Sequence, residues 1–342
     1  MGLNRRIAVA ATLALLGSIY ASSAPAETIQ FGVTRIANCA PIAIAIAKGY
    51  FAAEGLDVKL TIFEAQAPVA VAVASGDLDF GDAAHTAALY NLDDAGRLRI
   101  IASGAFEAPS FHALALVASN EAYAAGLKTP HDLPGHSFAL TQMGTGLQYS
   151  LGRVAAHEGF DPNTVKLLPL QSNPNIASAL SGGRADAAAF DTTNAEPLIE
   201  KGEVKLIGWV GDLVGYMPTF LVFASREMVD NHGDTVRRFL TAYRKAVADY
   251  YRAFTDEQGR RKDGPTASAM LDIIAKWVNQ PPERIKLGLP YFDREARVDM
   301  AETQGQIDWY RSIGAIKSDL LATTVVDKRY AIARPETRAA AH

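Results

Sequence analysis

Ser75-Gly76-Asp77-Leu78-Asp79-Phe80-Gly81-Asp82-Ala83-Ala84-His85-Thr86 decides the fold. Ser75-Gly76-Asp77 is a turn signal, Leu78–Gly81 reads as a short buried strand, and a polar loop then opens a helix over Ala84–Leu92. In an open α/β sheet, ligands sit outside the carboxyl ends of strands, where loops and helix N-termini face one crevice. Asp82, Ala84 and His85 fall at that edge. A weaker echo follows at Ser181-Gly182-Gly183-Arg184-Ala185-Asp186-Ala187-Ala188-Ala189-Phe190-Asp191-Thr192. Aligning Gly76 with Gly183 puts Asp79 on Asp186. Two copies of one pattern predict two similar lobes whose loops face a common cleft.

The strand pattern extends on both sides of the opening stretch. Thr28–Thr34, Leu56–Phe63 and Arg99–Ser103 read as strands, and Ile42–Ala53 and Pro68–Ala74 as helices. Gly55 and Gly76 end those helices, Gly76 at a backbone angle that glycine adopts readily. This βαβαβαβ order predicts an α/β fold with a doubly wound, mainly parallel sheet. Ala113–Ala118 reads as a strand leaving the lobe and Phe220–Ala224 as the crossing back. Between them, strands at Ser137–Leu140, Thr164–Pro169, Ala185–Phe190 and Val204–Trp209 repeat the pattern, with helices after Gly144-Thr145-Gly146 and over Ile176–Leu180. The remainder reads as helical over Glu227–Thr255, Pro265–Trp277, Pro282–Leu287 and Asp293–Ser312, with a loose tail after Val326. The expected division is residues 27–117 plus 219–342 for the first lobe and 118–218 for the second.

A chain of 342 residues is long for one core, which agrees with two lobes. Hydrophobic content of 49% with 20% charged residues excludes a disordered or fibrous chain. Asn4-Arg5-Arg6, the apolar run Ile7–Ile19 and Ala24-Pro25-Ala26 spell a secretory signal peptide over residues 1–26, too short for a membrane span. No cysteine lies near that cut, which argues against a lipid anchor. Losing Arg5 and Arg6 would move the formal charge from −4 to −6, and dispersed Lys and Arg leave no stripe for nucleic acid. Cys39 is the single cysteine, so no intrachain disulfide forms. A soluble, monomeric periplasmic protein is the expectation.

Pro41…Ala47-Lys48-Gly49-Tyr50-Phe51…Glu54-Gly55-Leu56-Asp57-Val58, followed by Ser75–Gly81, resembles the periplasmic ligand-binding subunits of ABC importers. The resemblance is closest to the NMT1/THI5-like group, which handles nitrate, taurine, sulfonates and thiamine-type pyrimidines. Asp132-Leu133-Pro134-Gly135 resembles a turn of that group, and Ala179…Gly183…Asp186-Ala187 its second-lobe motif. These motifs run in order through nearly the whole mature chain and specify the fold far more than the ligand. The resemblance implies two lobes joined by two crossing strands, the type II periplasmic-binding-protein fold, closing around a small solute. It also implies an ABC permease in the inner membrane as a transient partner.

Asn38-Cys39-Ala40-Pro41 precedes a helix whose N–H groups suit an anion, although a plain capped turn has the same sequence. Cys39 has no adjacent His or second Cys to activate it and reads as packing, yet it joins the candidate ligand set by position. Gln66 offers an amide, Asp82 either meets ligand or caps a helix, and Ala84 and His85 follow it. In the second lobe Thr141, Gly144, Thr145 and Gly146 let backbone approach a ligand closely. Asp191 and Thr192 end a later strand, Tyr216 precedes the return crossing, and Phe106 and Phe111 serve as walls or core. Arg35 is the only basic residue in these loops, whereas two acids, His85 and aromatics suit a ligand with NH donors or a ring. Sulfonate, aromatic acid, pyrimidine-like and small oxyanion ligands all stay open, the oxyanion least favoured for want of cations in these loops.

No G-x-S-x-G elbow, H-x-x-x-H or C-x-x-C occurs, so no cofactor, metal or catalytic constellation is expected. Pyrimidine-synthesising relatives of the group carry a Cys-rich motif that this chain lacks. The expectation is a solute-binding protein and not an enzyme. The alternative is an exported enzyme on the same fold with His85 and Asp82 as acid and base.

Overall fold

The computed structural model describes residues 25–335. Residues 1–24 of the expected signal peptide and the last residues of the expected loose tail lie outside them. The first strands are β1 (Glu27–Val33), β2 (Leu56–Ile62), β3 (Phe80–Ala84), β4 (Leu98–Ser103), β5 (Ala105–Glu107) and β6 (Leu114–Ser119). Then come β7 (Ser137–Leu140), β8 (Lys166–Pro169), β9 (Ala187–Asp191) and β10 (Val204–Trp209). The last are β11 (Met217–Pro218), β12 (Phe220–Ser225) and β13 (Tyr291–Phe292).

Two five-stranded sheets carry the molecule, ordered β2-β1-β3-β12-β4 and β10-β6-β9-β7-β8. In each, one strand runs against the other four: β12 in the first and β6 in the second. Those are the strands delivered by the passage from one sheet to the other. The doubly wound, mainly parallel architecture is thus present twice.

The crossing itself differs from the expectation. From Leu114 the stretch to Ala118 falls within β6, and Phe220–Ala224 within β12, full members of the two sheets and buried at every strand position. Their unbroken apolar runs belong to strands covered on both faces. The chain crosses instead at β5 and β11, which pair with each other through Met217↔Glu107 and Pro218↔Phe106, with β13 on the far side of β5. A division between residues 117 and 118 would cut β6, which pairs along its whole length inside the second sheet.

The first sheet is backed by the helix Gly233–Phe254, whose Val236, Phe239, Leu240, Tyr243, Val247 and Tyr250 recur at helical spacing on its buried face. Phe239 stacks on Phe80 at 4.4 Å and on Phe31 and Phe51 at 5.6 and 5.4 Å. A second cluster continues from the other face of that sheet into the second lobe, joining Leu89 and Tyr90 to Phe138, Leu151, Ile307 and Tyr310.

Several boundaries moved for identifiable reasons. The expected helix Ile42–Ala53 is two, Ala40–Ala47 and Tyr50–Ala53, broken at Gly49 with φ of 68°. The helix expected from Asp293 begins at Met300, because the Asp293 carboxylate accepts the N–H groups of Glu295 and Arg297 and holds a turn there. As far as residue 335 the tail after Val326 is held: Val326 bridges Ile100, Ala333 bridges Val298, and the Tyr330 hydroxyl donates to the Val229 carbonyl.

Candidate functional site at the seam between the lobes

The loop after β3 meets the loop after β7, and the segment after β9 meets the C-terminal helices, along one seam. At one point the Ala87 N–H donates to the Gly144 carbonyl at 3.0 Å. Gly144 has φ of 73°, and a Cβ there would stand 3.3 Å from the Ala87 Cβ, so glycine permits this approach. At a second point Gly288 lies against Thr192 and Thr193. The helix Met300–Ser312 stitches the lobes a third time. Its Tyr310 hydroxyl donates to the His85 carbonyl (3.1 Å), its Gln306 amide donates to the Pro218 carbonyl (2.7 Å), and Trp309 packs edge-on against Tyr149.

β3 runs two to three residues later than expected, so Asp82 and Ala84 are strand residues. Thr86 caps the next helix, accepting the Leu89 N–H at 3.1 Å, and Asp82 takes no capping role. The Asp82 side chain is fully buried in the first lobe, and neither carboxyl oxygen has a partner among the described residues. Burial drives its pKa well up, and the nearby Cys39 thiol offsets this only in part. Cys39 is equally buried, its thiol 3.9 Å from the Thr34 hydroxyl, and burial followed by the Asp82 charge raises its own pKa. The Gln66 amide donates to that hydroxyl at 2.9 Å while its carbonyl oxygen has no partner among the described residues. Gln66, Thr34, Cys39 and Asp82 thus form a polar line running inward from the seam.

His85 is sealed into the joint. Its Nδ1 shares a hydrogen bond of 2.7 Å with the Tyr90 hydroxyl, which in turn donates to Gln306 at 3.1 Å. Burial lowers its pKa to about 3, leaving it neutral at ordinary pH. No hydrogen bond joins His85 to Asp82, so the acid–base pair of the enzyme alternative is not assembled among the described residues.

In the second lobe Thr141 is half-buried at the end of β7. The Gly144 N–H is taken by Gln148 at 2.7 Å, and the Thr145 hydroxyl donates to the Gln142 carbonyl at 2.9 Å just before Gly146 opens the helix Gly146–Glu158. Asp191 is half-buried at the end of β9, and burial lifts its pKa to about 6. Thr192 turns inward, its hydroxyl donating to the His112 carbonyl at 2.5 Å. Tyr216 belongs to an aromatic cluster behind the crossover, 5.2 Å from Tyr291 and covered by the Arg334 guanidinium at 4.6 Å. Phe106 and Phe111 pack in the same cluster. Asn38 is buried in the turn Ala37–Cys39.

Sequence reasoning missed Glu107. It lies fully buried on β5, accepting the Leu114 N–H at 3.4 Å through one oxygen while the other has no partner among the described residues. Burial raises its pKa strongly, and the Asp191 charge raises it further. Its signal was a single carboxylate inside the otherwise uncharged run Ile100–Val117. Three carboxyls held toward their neutral form can each offer both an acceptor and an O–H donor. Arg35, the one cation of these loops, leans over the Trp277 ring at 5.8 Å.

No curated protein sequence matches the chain. Among solved structures, it is similar to a ligand-binding component of an ABC-type import system from Staphylococcus aureus with zinc bound. That pair shares 13% identity and a TM-score of 0.71 over 89% of this chain and 97% of that one. The alkanesulfonate-binding protein SsuA from Xanthomonas axonopodis pv. citri, bound to MOPS, shares 17% identity at a TM-score of 0.67, covering 89% and 99%. The periplasmic nitrate-binding protein NrtA from Synechocystis PCC 6803 shares 15% at 0.65, covering 90% and 86%. At such identities the likeness shows the fold, that of periplasmic binding proteins. The family described as NMT1/THI5 like matches residues 36–253, a span holding every strand of the two large sheets except β1 and both crossing strands. On that match, the chain belongs to the NMT1/THI5-like family.

Proposed function

We propose that the protein is the periplasmic substrate-binding component of an ABC importer, a monomer that captures a small organic solute between its lobes and delivers it to a membrane permease. The carrying observation is the seam, where loops from two separate sheets converge across a crossover only two to three residues wide. A ligand there touches both lobes at once and so stabilises their joined arrangement. The lobes divide within residues 108–113 and at 219, on either side of the crossing strands. Asn38, Gln66, Thr141, Asp191 and the backbone of Gly144–Gly146 contact the solute, with Asp82 and Cys39 lying beneath.

Within the set of sulfonates, aromatic acids and pyrimidine-like compounds, the carboxyl oxygens of Asp82 and Glu107 that lack a partner among the described residues favour a ligand that presents N–H groups. No helix among the described residues is long and apolar enough to cross a membrane, which agrees with a protein that works beside its permease. The protein binds and releases its solute unchanged. Thermal unfolding of refolded, ligand-stripped protein against a panel of these compounds tests this. Ligand at about 100 times its Kd adds about 2.7 kcal/mol, a visible rise in Tm. Conversion of the bound compound to product, or no shift with any class, would overturn the proposal.

A further inference from the structure

An open cavity of about 390 Å³ lies between the segment that follows β5 and the C-terminal helices, beside the point where Gly288 meets Thr192 and Thr193. Three cations line it, Arg261, Lys262 and Lys286, together with Leu287 and Leu289. Asp263 is the only carboxylate in its wall, bridging Arg261 and Lys286 at 2.6 Å each. Lys262 has no ion-pair partner among the described residues. Asp212, the nearest acid on the second lobe's side, accepts from His112 at 2.9 Å and from the Ser110 N–H at 2.8 Å. Three cations against one carboxylate leave an excess of two positive charges facing the cavity. Leu287 is 48% exposed beside them, an apolar surface for an occupant to cover.

We propose that this cavity binds a small organic anion, a carboxylate or sulfonate with a short apolar body, at a site distinct from the one proposed for the solute around Asn38, Gln66, Thr141 and Asp191. The anionic head meets Lys262 and Lys286, and the body lies over Leu287. The volume falls in the range of small-molecule sites. The position also couples the site to the joint between the lobes. Lys286 and Leu287 end the helix Pro282–Leu287, and the next residue, Gly288, lies against Thr192 and Thr193 of the second lobe. The Arg261 N–H donates to the Ser110 hydroxyl, tying the opposite wall to the crossing segment at 3.1 Å. An anion held by both walls favours the joined arrangement, as the seam ligand does, so each raises the affinity for the other.

Isothermal titration of the full mature chain with benzenesulfonate at constant ionic strength tests this. The expected result is saturable one-to-one binding. It should weaken about tenfold or more in a Lys262→Gln/Lys286→Gln double variant, which removes two charge-assisted contacts. It should be unchanged in Asp191→Asn, which alters only the site proposed for the solute. Both lysines are exposed, so the double variant should unfold at the wild-type urea concentration. Asp263→Asn, which removes the competing carboxylate, should tighten binding. Absence of saturable binding overturns the proposal, as does binding that survives the double variant or disappears with Asp191→Asn.

Discussion

At the residue scale the clearest feature is a carboxyl buried without a partner. Asp82 sits on a central strand with both oxygens unpartnered among the described residues. Its folded pKa lies well above the ordinary value of 3.8. Between those two values the folded chain binds a proton that the unfolded chain has released. Its contribution to stability is therefore complete below about pH 3.8 and is lost as pH rises toward the folded pKa. Asp82→Asn removes this dependence. In urea unfolding at pH 4.5 and pH 8, the variant should gain on the wild type at the higher pH, and equal pH slopes would sink the account. His85 shows the same logic with opposite charge. A histidine at a strand end looks like a ligand residue in the sequence, but burial and the Tyr90 hydroxyl make it part of the joint.

At the element scale, local chemistry explains where the chain turns. Gly76 ends the helix Gln66–Ser75 with φ of 86°, in the left-handed region, and its missing Cβ would meet nothing within 4 Å. Gly76→Ala therefore tests backbone strain without a steric term. It should cost about 1 kcal/mol in chemical denaturation, and no loss would show that the angle relaxes. The Gly76 stop was legible in the sequence because a Ser-Gly-Asp turn needs no tertiary partner. The start of β3 was not, because Asp79 is held by accepting the Gln30 N–H at 2.7 Å, a contact 49 residues away in the chain. That later start carried Asp82 from an expected loop into the sheet.

At the scale of the whole molecule, the helix Met300–Ser312 connects lobes that the chain otherwise joins only at β5 and β11. Its Trp309 closes over Gly152 of the second lobe, where a Cβ would fall 2.6 Å from the indole nitrogen. Tyr149 and Tyr310 pack on the indole and leave it little room to move. Gly152→Ala should destabilise the protein by about 1–3 kcal/mol, the usual cost of overpacking. Trp309→Leu should restore most of that loss, and unchanged unfolding of Gly152→Ala would show that the contact is loose. The sequence alone determined the alternation of strands and helices, the existence of two sheets and the set of strand ends, because periodicity and turn residues are local properties. Only the tertiary structure decided that β5 and β11 make the crossing, that His85 and Thr192 turn inward, and that Glu107 stands beside Asp191. Those outcomes depend on which residues are desolvated by segments distant in the chain, and burial of that kind leaves no periodic mark on the sequence.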